Sequence, residues 1–265
     1  MESKSQRLLW NAKIFCALLR KDLLVFRLGS LKRRLINNYA WVCLIIYIYQ
    51  YVGLTGLVGY GAFIALGEVA TRGFMSCNND IIKIVHDLNG ARSIEYYLTL
   101  PISSTLVLIE LMVACTIRCI VLASLVLPVA KLILQDHFVI TALGLSKFFL
   151  VFMCAYLFYG AFHLLFASFI NTVDEFQNFR IRVADTLFWF GAYFFTWQKL
   201  YTQNKVVAYL DLLNPCVYAC EGARAALLGP AGYLDWRLCC AMLLIFAVGV
   251  GTVALNRMKR KLDCV

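Results

Sequence analysis

The residues with chemistry to offer in this 265-residue chain are few and dispersed. Its 3 histidines, His86, His137 and His163, lie far apart. No spacing sets a nucleophile, a base and a carboxylate together, and there is no G-x-S-x-G and no H-E-x-x-H. A lone histidine in an apolar run reads as a helix–helix hydrogen-bonder. The 11 cysteines form no framework. Cys43, Cys115, Cys119 and Cys154 sit in apolar runs, where a thiol acts as a small hydrophobe. Cys115 and Cys119, like Cys216 and Cys220, are spaced as neighbours on one helix face. No C-x2-C pair and no nearby histidine pair completes a zinc site, so neither metal ligands nor catalytic residues are assigned. The chain also lacks G-x-x-x-x-G-K-[ST], the backbone cradle for nucleotide phosphates, and so does not itself hydrolyse ATP. Glu68 and Arg72, four apart in an apolar segment, can pair on one helix face. Charges at membrane depth are costly and turn toward a bundle interior or water. They are therefore candidates for a translocation path or a subunit interface as much as for a structural ion pair.

The composition says what must hold these residues. The hydrophobic fraction is 62% and the mean hydropathy +0.75, against about 45–50% apolar residues in a soluble domain. Such a chain is read as several spans of about 20 residues each. A net charge of +10 would suggest nucleic acid in a soluble protein. Here it marks loops held on the cytoplasmic side, and no nucleic-acid partner is expected.

Residues 6–29 have a helical period, with Leu8, Ile14, Phe15, Leu18, Leu23 and Phe26 on one side and Lys13, Arg20 and Arg27 mostly on the other. This predicts an amphipathic helix in the membrane interface, ended by Gly29 and Ser30. Charges recur through Arg34, leaving no unbroken apolar core for a cleavable signal. Spans are expected at about 39–58, 62–85, 106–134, 145–169, 183–197 and 236–255. Gly53, Gly56 and Gly59 mark a turn after the first. Pro128 is expected to kink the third or end it, and Gln135–His137 to break the chain after it. Residues 171–182 read as a polar cytoplasmic loop. The stretch from 199 to 235 carries two apolar pieces too short to span, broken at Asn214-Pro215 and Gly229-Pro230, as re-entrant helices are. The tail with Arg257, Lys259, Arg260 and Lys261 is again basic. Six spans with both termini cytoplasmic agree with every basic cluster.

This layout, with two motifs, resembles the membrane subunit of a type-2 ABC exporter over nearly the whole chain. The first motif is R-S-I-E-Y-Y-L-T-L-P-I-S at 92–103. Glu95, Pro101 and Ser103 fall on the family's Glu, Pro and Ser, while Arg92 and Ser93 stand where Gly and Thr are usual. The second, L-N-P-C-V-Y-A-C-E-G-A-R-A-A-L-L-G at 213–229, is similar to the family's N-P-[apolar]-x-Y-x-x-[DE]-x-x-R and places Asn214, Pro215, Tyr218, Glu221 and Arg224.

The resemblance implies an all-α membrane protein of six transmembrane helices, with an N-terminal amphipathic interface helix at 1–35 and the transmembrane domain at 36–265. Within the latter lie a short cytoplasmic coupling helix at about 90–101 and an outer re-entrant segment at about 203–232. It implies a permease for a lipid, glycan, drug-like or peptide substrate, in a membrane such as the bacterial inner membrane. The permease works as a homodimer with a separate ABC ATP-binding subunit, which carries the ATP and Mg; this chain binds no cofactor. Arg92, Ser93, Glu95, Tyr96, Tyr97 and Pro101 would couple to that motor, and Glu68, Arg72, Phe188, Phe190 and Phe194 would line the path or the dimer interface. An ion-gradient transporter using Glu68 and Glu110 as proton carriers, and a membrane assembly factor without transport, are the alternatives.

Overall fold

The computed structural model describes residues 4–29, 31–52, 60–90, 93–98 and 103–263. The glycine turn at 53–59 and the motif residues Arg92 and Pro101 lie outside the described residues. Among the described residues every regular element is helical and there is no strand. The α-helices are α1 (Lys4–Gly29), α2 (Leu31–Tyr47), α3 (Tyr60–Asn89), α4 (Ser93–Leu98), α5 (Ser104–Ser124), α6 (Val126–Leu134) and α7 (Ala142–Phe169). They continue as α8 (Val173–Phe179), α9 (Asp185–Trp189), α10 (Trp197–Gln203), α11 (Lys205–Asp211), α12 (Pro215–Leu227) and α13 (Trp236–Asp263). π-helical turns extend α2 over Ile48–Val52 and join α8 to α9 over Arg180–Ala184. Among the described residues, four segments are long and apolar enough to cross a membrane: Leu31–Val52, Ser104–His137, Ala142–Phe169 and Trp236–Leu262.

α1 has the expected two faces, with Phe26 buried and Lys13, Arg20 and Arg27 exposed. α2 starts earlier than expected, so Lys32, Arg33 and Arg34 ride on the helix rather than ahead of it. The reason is a partner: Arg34 reaches Asp80 of α3 through two hydrogen bonds of 3.1 and 2.9 Å. The third expected span is interrupted at Leu125, between α5 and α6. Pro128 lies three residues on, and its ring crowds the carbonyl four residues back while it offers no N–H. Gln135–His137 form the expected break as a single 3-10 turn.

Two expectations fail. Residues 171–182 are not a loop but largely helix. Thr172 accepts from the Glu175 N–H, and the Glu175 carboxylate accepts from the Asn171 N–H, which starts α8. No single helix covers 183–197: α9 ends at Trp189, and residues 190–196 run through an irregular turn with Ala192 at φ 56°. α13 runs past the expected end of the last span and carries the basic tail to Asp263. There Lys259 donates to Thr105, and Lys261 to the Ala167 and Ile170 carbonyls at the C-terminus of α7.

The core joins α3, α5, α6, α7, α12 and α13. Glycines bring the helices together. A Cβ on Gly73 would lie 2.1 Å from the Tyr156 ring, and one on Gly160 would lie 2.0 Å from Thr116 Oγ1.

Candidate functional site

At one end of the bundle, α4 sits between α3 and α5. Its first turn is held by Asp87, whose Oδ2 accepts from the Ile94 N–H at 2.9 Å. Ile94 is buried in a cluster with Leu108 of α5, Leu164 of α7 and Ala254 and Met258 of α13. Tyr97 packs under the Lys21 ammonium of α1, 4.4 Å from the ring centroid. Tyr96 is 65% exposed, with its ring edge-on to that of Tyr97 at 6.0 Å between centroids. Ser93 and Glu95 lie on the same helix. A six-residue helix is thus rooted by one apolar side chain in three long helices and presents an aromatic side chain outward.

A cavity of about 250 Å³ beside α4 is lined by charges from α1, α3 and α5, among them Lys21, Asp22, Asp80, Lys83 and Arg118. Asp80 is its centre. Besides Arg34 it meets Lys83 at 3.1 Å and Arg118 at 3.9 Å, and Arg118 also stands 3.6 Å from Asp22. The buried Asp80 carboxylate is therefore answered by cations from α2, α3 and α5, as burial demands. Sequence signals existed: an acid in the polar half of α3 and an arginine inside the apolar run of α5 needed counter-charges. Their pairing across helices required the fold.

At the opposite end, Glu68 is 1% exposed and accepts from Arg72 Nε at 2.7 Å and from the Tyr193 hydroxyl at 2.6 Å. The expected Glu68–Arg72 pair is present. The second motif is a structural joint. Asn214 caps α12 by accepting from the Cys216 N–H at 3.0 Å and donates to the Leu187 carbonyl at 2.8 Å; Pro215 takes the first helical position. The Tyr218 hydroxyl donates to the Leu212 carbonyl at 2.8 Å. Glu221 accepts from the N–H groups of Trp197 and Leu234, both at 3.1 Å. Arg224, 0% exposed, donates to the carbonyls of Phe63, Ala192, Tyr193 and Phe195, and its guanidinium lies 3.4 Å from the Phe63 ring centroid. Those carbonyls belong mostly to residues 190–196, which explains why the expected fifth span breaks there: the arginine supplies hydrogen bonds that a helix would otherwise make. Tyr193 links the two sets, since its hydroxyl holds Glu68 and its carbonyl holds Arg224. Of the candidate path aromatics, Phe188 and Phe194 are half-buried around Tyr193, and Phe190 is 58% exposed.

Asp211 is buried near this joint with one carboxylate oxygen unpartnered. Burial first, and the neighbouring Glu221 charge second, push its carboxyl up to about 7.

Fold and composition define an all-helical protein with apolar helices of membrane-crossing length. The sequence matches no family model and no curated protein.

Proposed function

We propose that the chain is the membrane-spanning permease subunit of an ATP-driven exporter, built as a type-2 ABC permease. The observation that carries the reading is α4: a short helix rooted through Ile94 in α5, α7 and α13, with Tyr96 outward. A motor subunit that grips the Tyr96 side, as a helix is gripped in a groove, moves the ends of three long helices with it. In this reading α2, α3, α5–α6, α7, α8–α9 and α13 are six spans, and α11–α12 is the outer re-entrant segment. The basic end around α4, with Lys21, Lys83, Lys259 and Lys261, faces the cytoplasm. α3 crosses despite its charges because Glu68, Arg72 and Asp80 are all paired within the protein. Two copies enclose the path, with Phe190 and Phe194 on its wall and Glu68 and Arg72 behind it. The substrate is a lipid, glycan, drug-like molecule or peptide, and ATP and Mg belong to the partner.

The test is purification of the tagged chain from its native membrane. An ATP-binding subunit is expected to accompany it, and Tyr96→Ala and Glu95→Ala are expected to abolish ATP-dependent transport while the chain stays folded. A native complex without an ATPase, or transport and motor binding untouched by both substitutions, overturns the proposal.

A further inference from the structure

We infer that Cys115, Cys119 and His163 form a zinc site that joins α5 to α7. The two thiol sulfurs and a ring nitrogen of His163 lie within 4.8 Å of one another. All three residues are buried, with His163 1% exposed. The geometry follows from the helices. Cys115 and Cys119 are one turn apart on α5, and Gly160 lets α7 approach so closely that a Cβ there would lie 2.8 Å from the Met112 carbonyl. His163 is one turn further along α7.

The imidazole is oriented as a ligand is. Its Nδ1 faces the Tyr159 carbonyl, which can only accept, so Nδ1 carries the proton. That leaves the Nε2 lone pair as the ligand atom; it makes no well-formed hydrogen bond, and the side chain that the imidazole meets is the Cys115 thiol, the first of the two proposed sulfur ligands. A backbone carbonyl fixing the other ring nitrogen is the usual outer support of a metal-bound histidine. With zinc–sulfur and zinc–nitrogen distances of about 2.3 and 2.0 Å, tetrahedral ligands stand about 3.5–3.8 Å apart. Closing from 4.8 Å takes about 1 Å of side-chain rotation.

Two thiolates and an imidazole suit zinc by ligand type, and the charge balance suits burial. Zn²⁺ displaces the proton from each of two thiols, so two thiolates and a neutral imidazole leave a site with no net charge, which a low-dielectric interior tolerates. A cavity of about 10 Å³, bounded by Asp80, Cys115, Arg118 and His163, has room for one water as the fourth ligand. It shares Asp80, Ile84, Leu111 and Arg118 with the larger cavity beside α4, which gives the ion an entry path. The site is independent of the transport reading.

The experiment titrates chelator-treated, detergent-purified protein with Zn²⁺ alone. One tight equivalent per chain is expected, weakened about 100-fold or more in Cys115→Ala/Cys119→Ala. Cys216→Ala/Cys220→Ala removes another buried pair one turn apart and is expected to leave binding unchanged. Failure of the wild type to bind, equal binding by the first variant, or equal loss in the second overturns the site. Should the first variant not fold, X-ray absorption of the zinc-loaded wild type decides. Two sulfurs at about 2.3 Å and nitrogen at about 2.0 Å support the site, and a shell of four sulfurs or of light atoms alone overturns it.

Discussion

Arg224→Met removes a guanidinium that is 0% exposed and takes a hydrogen bond from four backbone carbonyls, of Phe63, Ala192, Tyr193 and Phe195, the last three of which lie outside any helix. Methionine fills much of the volume, so the loss is polar rather than a cavity. Hydrogen bonds within membrane proteins average about 0.6 kcal/mol, which sets a floor of about 2 kcal/mol for the fan. Orphaning the buried Glu221 carboxylate, 4.0 Å from the arginine, moves the total toward the 3–5 kcal/mol typical of a broken buried pair. For a chain of this size that is a melting shift of about 5–20 °C. Arg224→Lys is expected to fall almost as far, because one ammonium cannot reach carbonyls spread around a planar fork. Adding Glu221→Gln to Arg224→Met removes the uncompensated charge but sets an amide NH2 against one of the two N–H groups that Glu221 accepts from, so it recovers only part of that loss and leaves the carbonyl part. The assay is thermal unfolding of detergent-purified protein, followed by its monodispersity. An Arg224→Met melting temperature within about 2 °C of wild type would refute the idea that this residue holds the 190–196 turn.

Two further outcomes follow from the geometry. Asp211 titrates near 7 in the folded protein because burial and Glu221 disfavour its charge. Its raised value means that its contribution to stability is fully present below about 3.8, the ordinary value, and is lost as pH rises through about 7. Asp211→Asn should flatten that part of a melting-temperature profile between pH 4 and 8, and an unchanged slope would count against it. Gly73→Ala places a methyl 2.1 Å from the Tyr156 ring and 2.9 Å from the Cys119 carbonyl. An overpacking cost of about 1–3 kcal/mol is expected, read as a lower melting temperature, whereas Gly249→Ala, which meets nothing within 4 Å, should be neutral.

Hydropathy made the apolar helices legible, because period and length report burial in any apolar medium. The extents of α1, α3 and α7, the break near Pro128 and the Glu68–Arg72 pair could all be read from local pattern. Local pattern misled where a distant partner decided the backbone. The expected span at 183–197 is apolar apart from Asp185 and two threonines, yet Arg224, far along the chain, captures its carbonyls and opens it at Ala192. The N-T-V-D-E stretch looked like a loop because its polarity outweighed its capping signal, although Thr172 and Glu175 were there to be read. The basic residues of α2 and α13 looked like solvent-facing clusters until Asp80 and the carbonyls at the C-terminus of α7 supplied partners.

What the sequence determined by itself is therefore the class: an all-helical chain with membrane-length apolar segments, basic clusters and a polar insert at 87–103. Those properties depend on residue type and spacing within one helix. What tertiary structure alone decided is which charges meet and which thiols share a histidine. Asp80 is shared among three helices, Tyr193 joins Glu68 to Arg224, and His163 stands beside a pair of cysteines from a different helix. Such encounters are set by how helices cross, and crossing is governed by close-packed surfaces such as those at Gly73 and Gly160, which no local periodicity encodes.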